Sequence, residues 1–188
     1  MKLKRSHIYN VIAVVFIALM IIPQTRKSIQ IGLNKVLASF GPSIDKDDEG
    51  KITLSDYNWK LQDTEGNVFD FESAKGKVIL VNLWATWCPP CIAEMPSMDD
   101  LYRDYKDKVV FLFVSGEERE TVSSFLKKRE LSIPSFTPLS KYPEDLYSKS
   151  LPTTYIIGKD GMIHVEKTGA ANWNSDGVRE LLDELLVE

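Results

Sequence analysis

The chain is poor in the residues that staple or metallate a fold. It has two cysteines and two histidines among 188 residues. Two cysteines exclude the disulfide framework of a small secreted scaffold. A zinc site built on them would need a second ligand pair, and only His7, in the leader, and His164, in mid-strand, are on offer. No nucleotide-binding motif, internal repeat or low-complexity tract is present. Positive charge is also scarce: the net charge is −4, and residues 1–40 hold six bases and no acid. The remaining chain is therefore strongly acidic, which excludes a nucleic-acid binder that must meet phosphate with a cationic surface. Apolar residues are not lacking. At 44% hydrophobic and 27% charged, the chain has enough for a real core.

The longest apolar run, "IYNVIAVVFIALMII" at 8–22, has 15 residues and follows the basic leader "MKLKRSH". It is shorter than a comfortable span of about 20 residues. Because "PQTRKS" rather than a small-residue cleavage site comes next, it is expected to be an uncleaved membrane anchor rather than a cleaved signal. The basic leader favours an inside N-terminus, which places the rest outside the cytoplasm. The segment 29–40 repeats apolar residues at helical spacing. It suits a membrane-surface helix and a helix packed on its own domain equally well. A polar linker completes residues 23–51, and a globular domain is expected over 52–188.

Within that domain, "NWKLQDTEGNVFDF" predicts a hairpin around Gly66. "KVILVNLWA" and "KVVFLFVSG" predict buried strands. A helix is expected from the cysteines to about Tyr105, with Cys91, Met95, Met98, Tyr102 and Tyr105 inward and its hydrogen-bond ladder interrupted at Pro96. The segment 117–131 predicts a second helix, 153–169 a hairpin, and the C-terminus an amphipathic helix. The fold class is α/β: a mixed central sheet, parallel first and antiparallel at its end, flanked by helices on both faces, with an N-terminal hairpin added.

The two cysteines stand in "WATWCPPC", just past a central strand and at the first turn of a helix, where open α/β sheets gather their chemistry. Pro89 suits a helix start. The helix N-terminus favours a thiolate at Cys88, while Pro89 and Pro90 remove two amides that could have donated to it. A depressed but not extreme thiol pKa is expected. The spacing brings both sulfurs to one side of the helix. A structural disulfide closing so small a loop would restrict the unfolded chain only slightly, and a c-type haem attachment needs His where Ile92 stands. A redox-active dithiol is the reading that remains.

"VILVNLWATWCPPCIAEMP" resembles the active-site strand and helix of the thioredoxin superfamily, most closely the membrane-anchored extracytoplasmic group that includes ResA, TlpA and CcmG. The likeness covers about residues 52–188. "SLPTTYII" resembles the family's proline loop, which implies a cis Leu151–Pro152 bond beside the dithiol and a backbone that holds substrate by strand-like hydrogen bonds. Where thioredoxin has a buried aspartate six residues before the first cysteine, this chain has Asn82. The ResA-like group has instead a glutamate three residues after the second cysteine, here Glu94, a helical turn from Cys91.

The resemblance thus implies catalytic Cys88, Cys91 and Glu94, with Trp87, Pro89, Pro90, Leu151 and Pro152 at the substrate surface. Trp87 is equally well explained by plain packing. The activity implied is thiol–disulfide exchange, with no cofactor and no metal. The partners implied are an oxidised protein substrate such as apocytochrome c and a membrane dithiol donor. Two further readings are an oxidant or isomerase of the DsbA type, disfavoured by the lack of a long helical insertion, and a thioredoxin-fold binding or assembly module.

Overall fold

A computed structural model describes residues 52–188 together with 9, 10, 14 and 40–42. Most of the expected anchor at 8–22 and most of the segment at 23–51 lie outside the described residues. Among the described residues, no helix is long and apolar enough to cross a membrane.

Within residues 52–188, the first strands are two short antiparallel ones, β1 (Lys60–Asp63) and β2 (Val68–Asp70). Gly66 turns between them at φ 98°, a left-handed conformation that a side chain would resist. Asp63 locks the turn by accepting from the amides of Glu65 and Asn67, bonds that hold its carboxyl below the usual range. A single 3-10 turn (Phe71–Ala74) leads to β3 (Ile79–Leu83), buried at every position. Helix α1 (Pro89–Tyr105) follows, then β4 (Val110–Val114), α2 (Arg119–Lys128), β5 (Ser135–Pro138), a second 3-10 turn (Glu144–Leu146), β6 (Thr153–Ile157), β7 (Ile163–Thr168) and α3 (Asp176–Val187).

The seven strands form one sheet in the order β2-β1-β5-β4-β3-β6-β7. β3 runs parallel to β4 and antiparallel to β6, and β4 is parallel to β5. The hairpin joins the sheet through β1 beside β5. Alternation along β3 sorts the core into two layers. Leu80 and Trp84 face one cluster with Phe111, Phe113 and Ile156, into which α1, α2 and α3 all pack. Ile79, Val81 and Leu83 face a second cluster with Trp59, Leu61, Phe71 and Tyr155. Helices are expected on both faces, but all three lie on the first. The second is covered by residues 54–59 and the two 3-10 turns, because the connection before β3 is short and the one before β6 is broken by Pro143 and Pro152.

The register brings three loops to one end of the sheet. Leu83, the last residue of β3, lies opposite Val114 of β4 and Thr153 of β6. The cysteines after β3, the loop after β4 and Pro152 before β6 therefore share the carboxyl edge of β3. Contacts also reach back along the chain: Asn172 N–H donates to the carbonyl of Phe40 at 2.9 Å, and Pro42 is buried.

Candidate active site

Cys88 is the N-cap of α1, in extended conformation at φ −84°, ψ 107°. It is bonded to Cys91 with their Cα atoms 5.3 Å apart, so the molecule is in its oxidised form. Pro89 and Pro90 fill the first two helical positions and carry no amide. The first amide available, that of Cys91, donates to Cys88 Sγ at 3.2 Å. Together with the helix dipole, this single donor favours negative charge at Cys88 once the pair is reduced. Both cysteines are buried, whereas Trp87 beside them is 62% exposed. Pro89, Pro90 and Leu151 are half-buried. The Leu151–Pro152 bond is cis, and Leu151 packs on the cluster that contains both cysteines.

The loop carrying the dithiol is held from behind. Glu117, three residues past the end of β4, accepts from Thr86 N–H at 2.6 Å and Thr86 Oγ1 at 2.7 Å. Both oxygens of one carboxylate thus fasten the turn two residues before Cys88.

Glu94 is wholly buried, and α1 runs on through Pro96 to Tyr105. Its Oε1 accepts from Asn82 Nδ2 at 2.9 Å, and its Oε2 accepts from Trp173 Nε1 at 2.9 Å and Ala171 N–H at 3.3 Å. Asn82 sits opposite Thr154 across the β3–β6 pair and also donates to Thr154 Oγ1 at 2.8 Å. Among the described residues, Asn82 Oδ1 has no partner. Burial pushes the Glu94 carboxyl up from 4.5 to about 8, and the hydrogen bonds from Trp173, Asn82 and Ala171 oppose part of that rise. A carboxyl titrating there can both hold and release a proton near neutral pH.

The structure therefore brings Cys88, Cys91, Trp87, Pro89, Pro90, Leu151 and Pro152 to one end of the sheet, with Glu94 enclosed on the helix behind the dithiol. The sequence reading missed Thr86 and Glu117, and it missed the Thr154, Ala171 and Trp173 components of the Glu94 cage. Glu117 carries a weak signal in its place just after a central strand. Trp173 carries none in its local pattern. No group of three or more His, Cys, Asp or Glu side chains among the described residues is arranged to hold a metal ion.

A dithiol pair at a strand-to-helix turn, faced by a cis-proline loop in a mixed sheet, defines a protein of the thioredoxin fold. The chain belongs to the AhpC/TSA family, whose model matches residues 55–166, and within the thioredoxin superfamily to the ResA group. It is 32% identical over 146 residues to the thiol-disulfide oxidoreductase ResA of Bacillus thuringiensis, a match covering 75% of this chain and 80% of that protein. It is 36% identical over 110 residues to the thioredoxin-like protein YneN of Bacillus subtilis, covering 56% of this chain but only 65% of the relative. Among solved structures, a thiol:disulfide interchange protein of the thioredoxin family from Chlorobium tepidum superposes with a TM-score of 0.58 at 23% identity, covering 72% of this chain and 97% of that one. That likeness establishes the fold.

Proposed function

We propose that the protein is an extracytoplasmic thiol–disulfide oxidoreductase that reduces protein disulfides, of the type serving cytochrome c maturation. The observation that carries this reading is the pairing of a sulfur-capped helix N-terminus at Cys88 with a buried carboxyl at Glu94 that titrates near neutrality. In the reduced protein, the Cys88 thiolate attacks one sulfur of a substrate disulfide. A mixed disulfide forms, and the substrate's other sulfur leaves as a thiolate. The Cys91 thiol passes its proton to Glu94, and the resulting thiolate attacks Cys88 Sγ. The second substrate thiolate leaves, and the Cys88–Cys91 disulfide seen here remains. Two electrons have then passed to the substrate, whose two thiolates take up protons from solvent while Glu94 releases the Cys91 proton, and a membrane dithiol donor restores the enzyme.

Trp87, Pro89, Pro90, Leu151 and Pro152 form the surface that receives the substrate segment. The apolar run at 8–22 anchors the domain to the outer face of the membrane. Relatives named as oxidoreductases support the chemistry, and the anchor, the apocytochrome substrate and the donor are part of the proposal.

A Cys91→Ser variant tests the reaction order by trapping the mixed disulfide on Cys88, which mass spectrometry reads directly. Equilibration with glutathione tests the direction. A potential well below that couple supports a reductant, and one at or above it supports an oxidant or isomerase. Absence of exchange with any disulfide would favour a binding module.

A further inference from the structure

Trp173 is completely buried in the cluster that contains Cys88 and Cys91, yet it does more than fill space. Two bonds clasp Trp173 to the turn of α1 that bears Glu94, and a third, within that turn, braces one of their acceptors. The indole Nε1 donates to Glu94 Oε2 at 2.9 Å, the Trp173 amide donates to Ser97 Oγ at 3.2 Å, and Ser97 Oγ donates to the carbonyl of Glu94 at 2.8 Å. With Asn82 on the other oxygen, the carboxylate cannot turn without breaking a bond. Each oxygen still keeps lone-pair capacity for a proton. The groups facing Glu94 are all uncharged: Asn82 from β3, and Ala171 and Trp173 from the loop before α3. The titratable groups in or packed against Trp173's cluster are Cys88, Cys91 and, toward the far end of α1, Tyr102 and Tyr105. Orientation of this carboxylate thus rests on neutral donors, of which the indole is the strongest on Oε2.

We propose that Trp173 is a positioning residue of the exchange reaction, its indole N–H holding the Glu94 carboxylate in place to accept the proton of Cys91. This rests on the role given to Glu94 above. Removing the donor destabilises the ionised carboxylate, so the base becomes scarcer at neutral pH. A charge-assisted bond of this kind corresponds to roughly one pKa unit or somewhat more. The resolving step should slow about tenfold at pH 7.

The experiment uses the reduced full chain and dithiobis-nitrobenzoate. Attack by Cys88 releases one nitrothiobenzoate and leaves a mixed disulfide. Resolution by Cys91 releases the second, so stopped-flow absorbance separates the two steps. With Trp173→Phe, the second phase should slow about tenfold at pH 7 and its pH profile should move about one unit alkaline. The first phase should stay within about twofold at the same pH. In a Glu94→Gln background, Trp173→Phe should produce no further move. An unmoved second-phase profile in W173F, with E94Q alone moving it, overturns the positioning role and leaves Glu94 standing. An unmoved profile in E94Q removes Glu94 and Trp173 together. If W173F does not fold, Ser97→Ala decides in its place: it loosens the loop but keeps the indole, so a smaller alkaline move supports the proposal and none overturns it.

Discussion

Glu94→Gln exchanges one oxygen for an amide inside a buried network, and it isolates what enclosing a carboxyl does to folding stability as pH changes. The oxidised protein is the state to use, because the Cys88–Cys91 disulfide removes thiol titration from both folded and unfolded chains. In the folded protein, burial raises Glu94 from 4.5 to about 8. Below about pH 4.5 both states carry the proton and the group contributes nothing to the pH dependence. Between the two values, the unfolded chain has released its proton while the folded one retains it. Stability of the wild type then falls by about 1.4 kcal/mol per pH unit. Above pH 8 both states are ionised and the loss is complete, at about 5 kcal/mol.

The glutamine variant has no such slope. Its amide can turn Oε1 toward Trp173 and Ala171 and its NH2 toward Asn82, whose Oδ1 has no partner among the described residues and can receive it after rotation. Relative to wild type, E94Q should therefore be nearly neutral at pH 4.5, more stable by about 3 kcal/mol at pH 7 and by about 5 kcal/mol at pH 9. Urea unfolding of both oxidised proteins at the three pH values measures this. Parallel stabilities at every pH, or a wild type that gains on the variant above pH 8, would refute the reasoning.

Other outcomes follow from single contacts. Glu117→Gln leaves one oxygen where two fasten Thr86, so it should destabilise the protein by about 1–2 kcal/mol in urea unfolding; an unchanged midpoint would count against the clamp. Trp87→Ala should leave stability within about 0.5 kcal/mol, since the side chain is 62% exposed. It should lower kcat/KM for a protein disulfide more than for a small aromatic disulfide, and equal losses would deny it a place in substrate contact. At Gly41, an added Cβ would lie 2.6 Å from Ser175 Oγ and 3.0 Å from Ser175 Cβ. Gly41→Ala should therefore lower full-chain stability by about 1 kcal/mol through displacement of 40–42 from the loop before α3, with thermal unfolding as the readout.

The elements readable from the chain are those whose pattern is local. The β-branched runs at 77–85 and 108–116 became β3 and β4, and the hairpins turned at Gly66 and at Gly161, φ 86°. β5 was not readable. Its four residues, "SFTP", are too few to carry a periodic signal and include a proline, and they are strand only because β4 and β1 pair on either side. α2 ended at Lys128 rather than at 131, and Glu130 adopts a positive φ of 55° just beyond it. The site divides the same way. Cys88, the two prolines and Cys91 are four consecutive residues, so their chemistry is written locally. Glu94 was reachable from Cys91 by helical spacing and by resemblance. Its cage was not, because Ala171 and Trp173 lie 77 and 79 residues further on and only the closed fold brings them to it.

That separation has a consequence for a chain being made. Ribosomal synthesis delivers the N-terminal parts first, and the cysteine pair is complete by residue 91. The enclosure of Glu94 needs strand β6 and then residues 171 and 173, almost at the end. Until they arrive, the carboxyl is a solvated helix side chain with an ordinary acidity. A nascent molecule thus carries the two cysteines before the carboxyl next to them on the helix is enclosed. Under the mechanism proposed above, closing the loop that carries Ala171 and Trp173 is what gives the two thiols their proton acceptor.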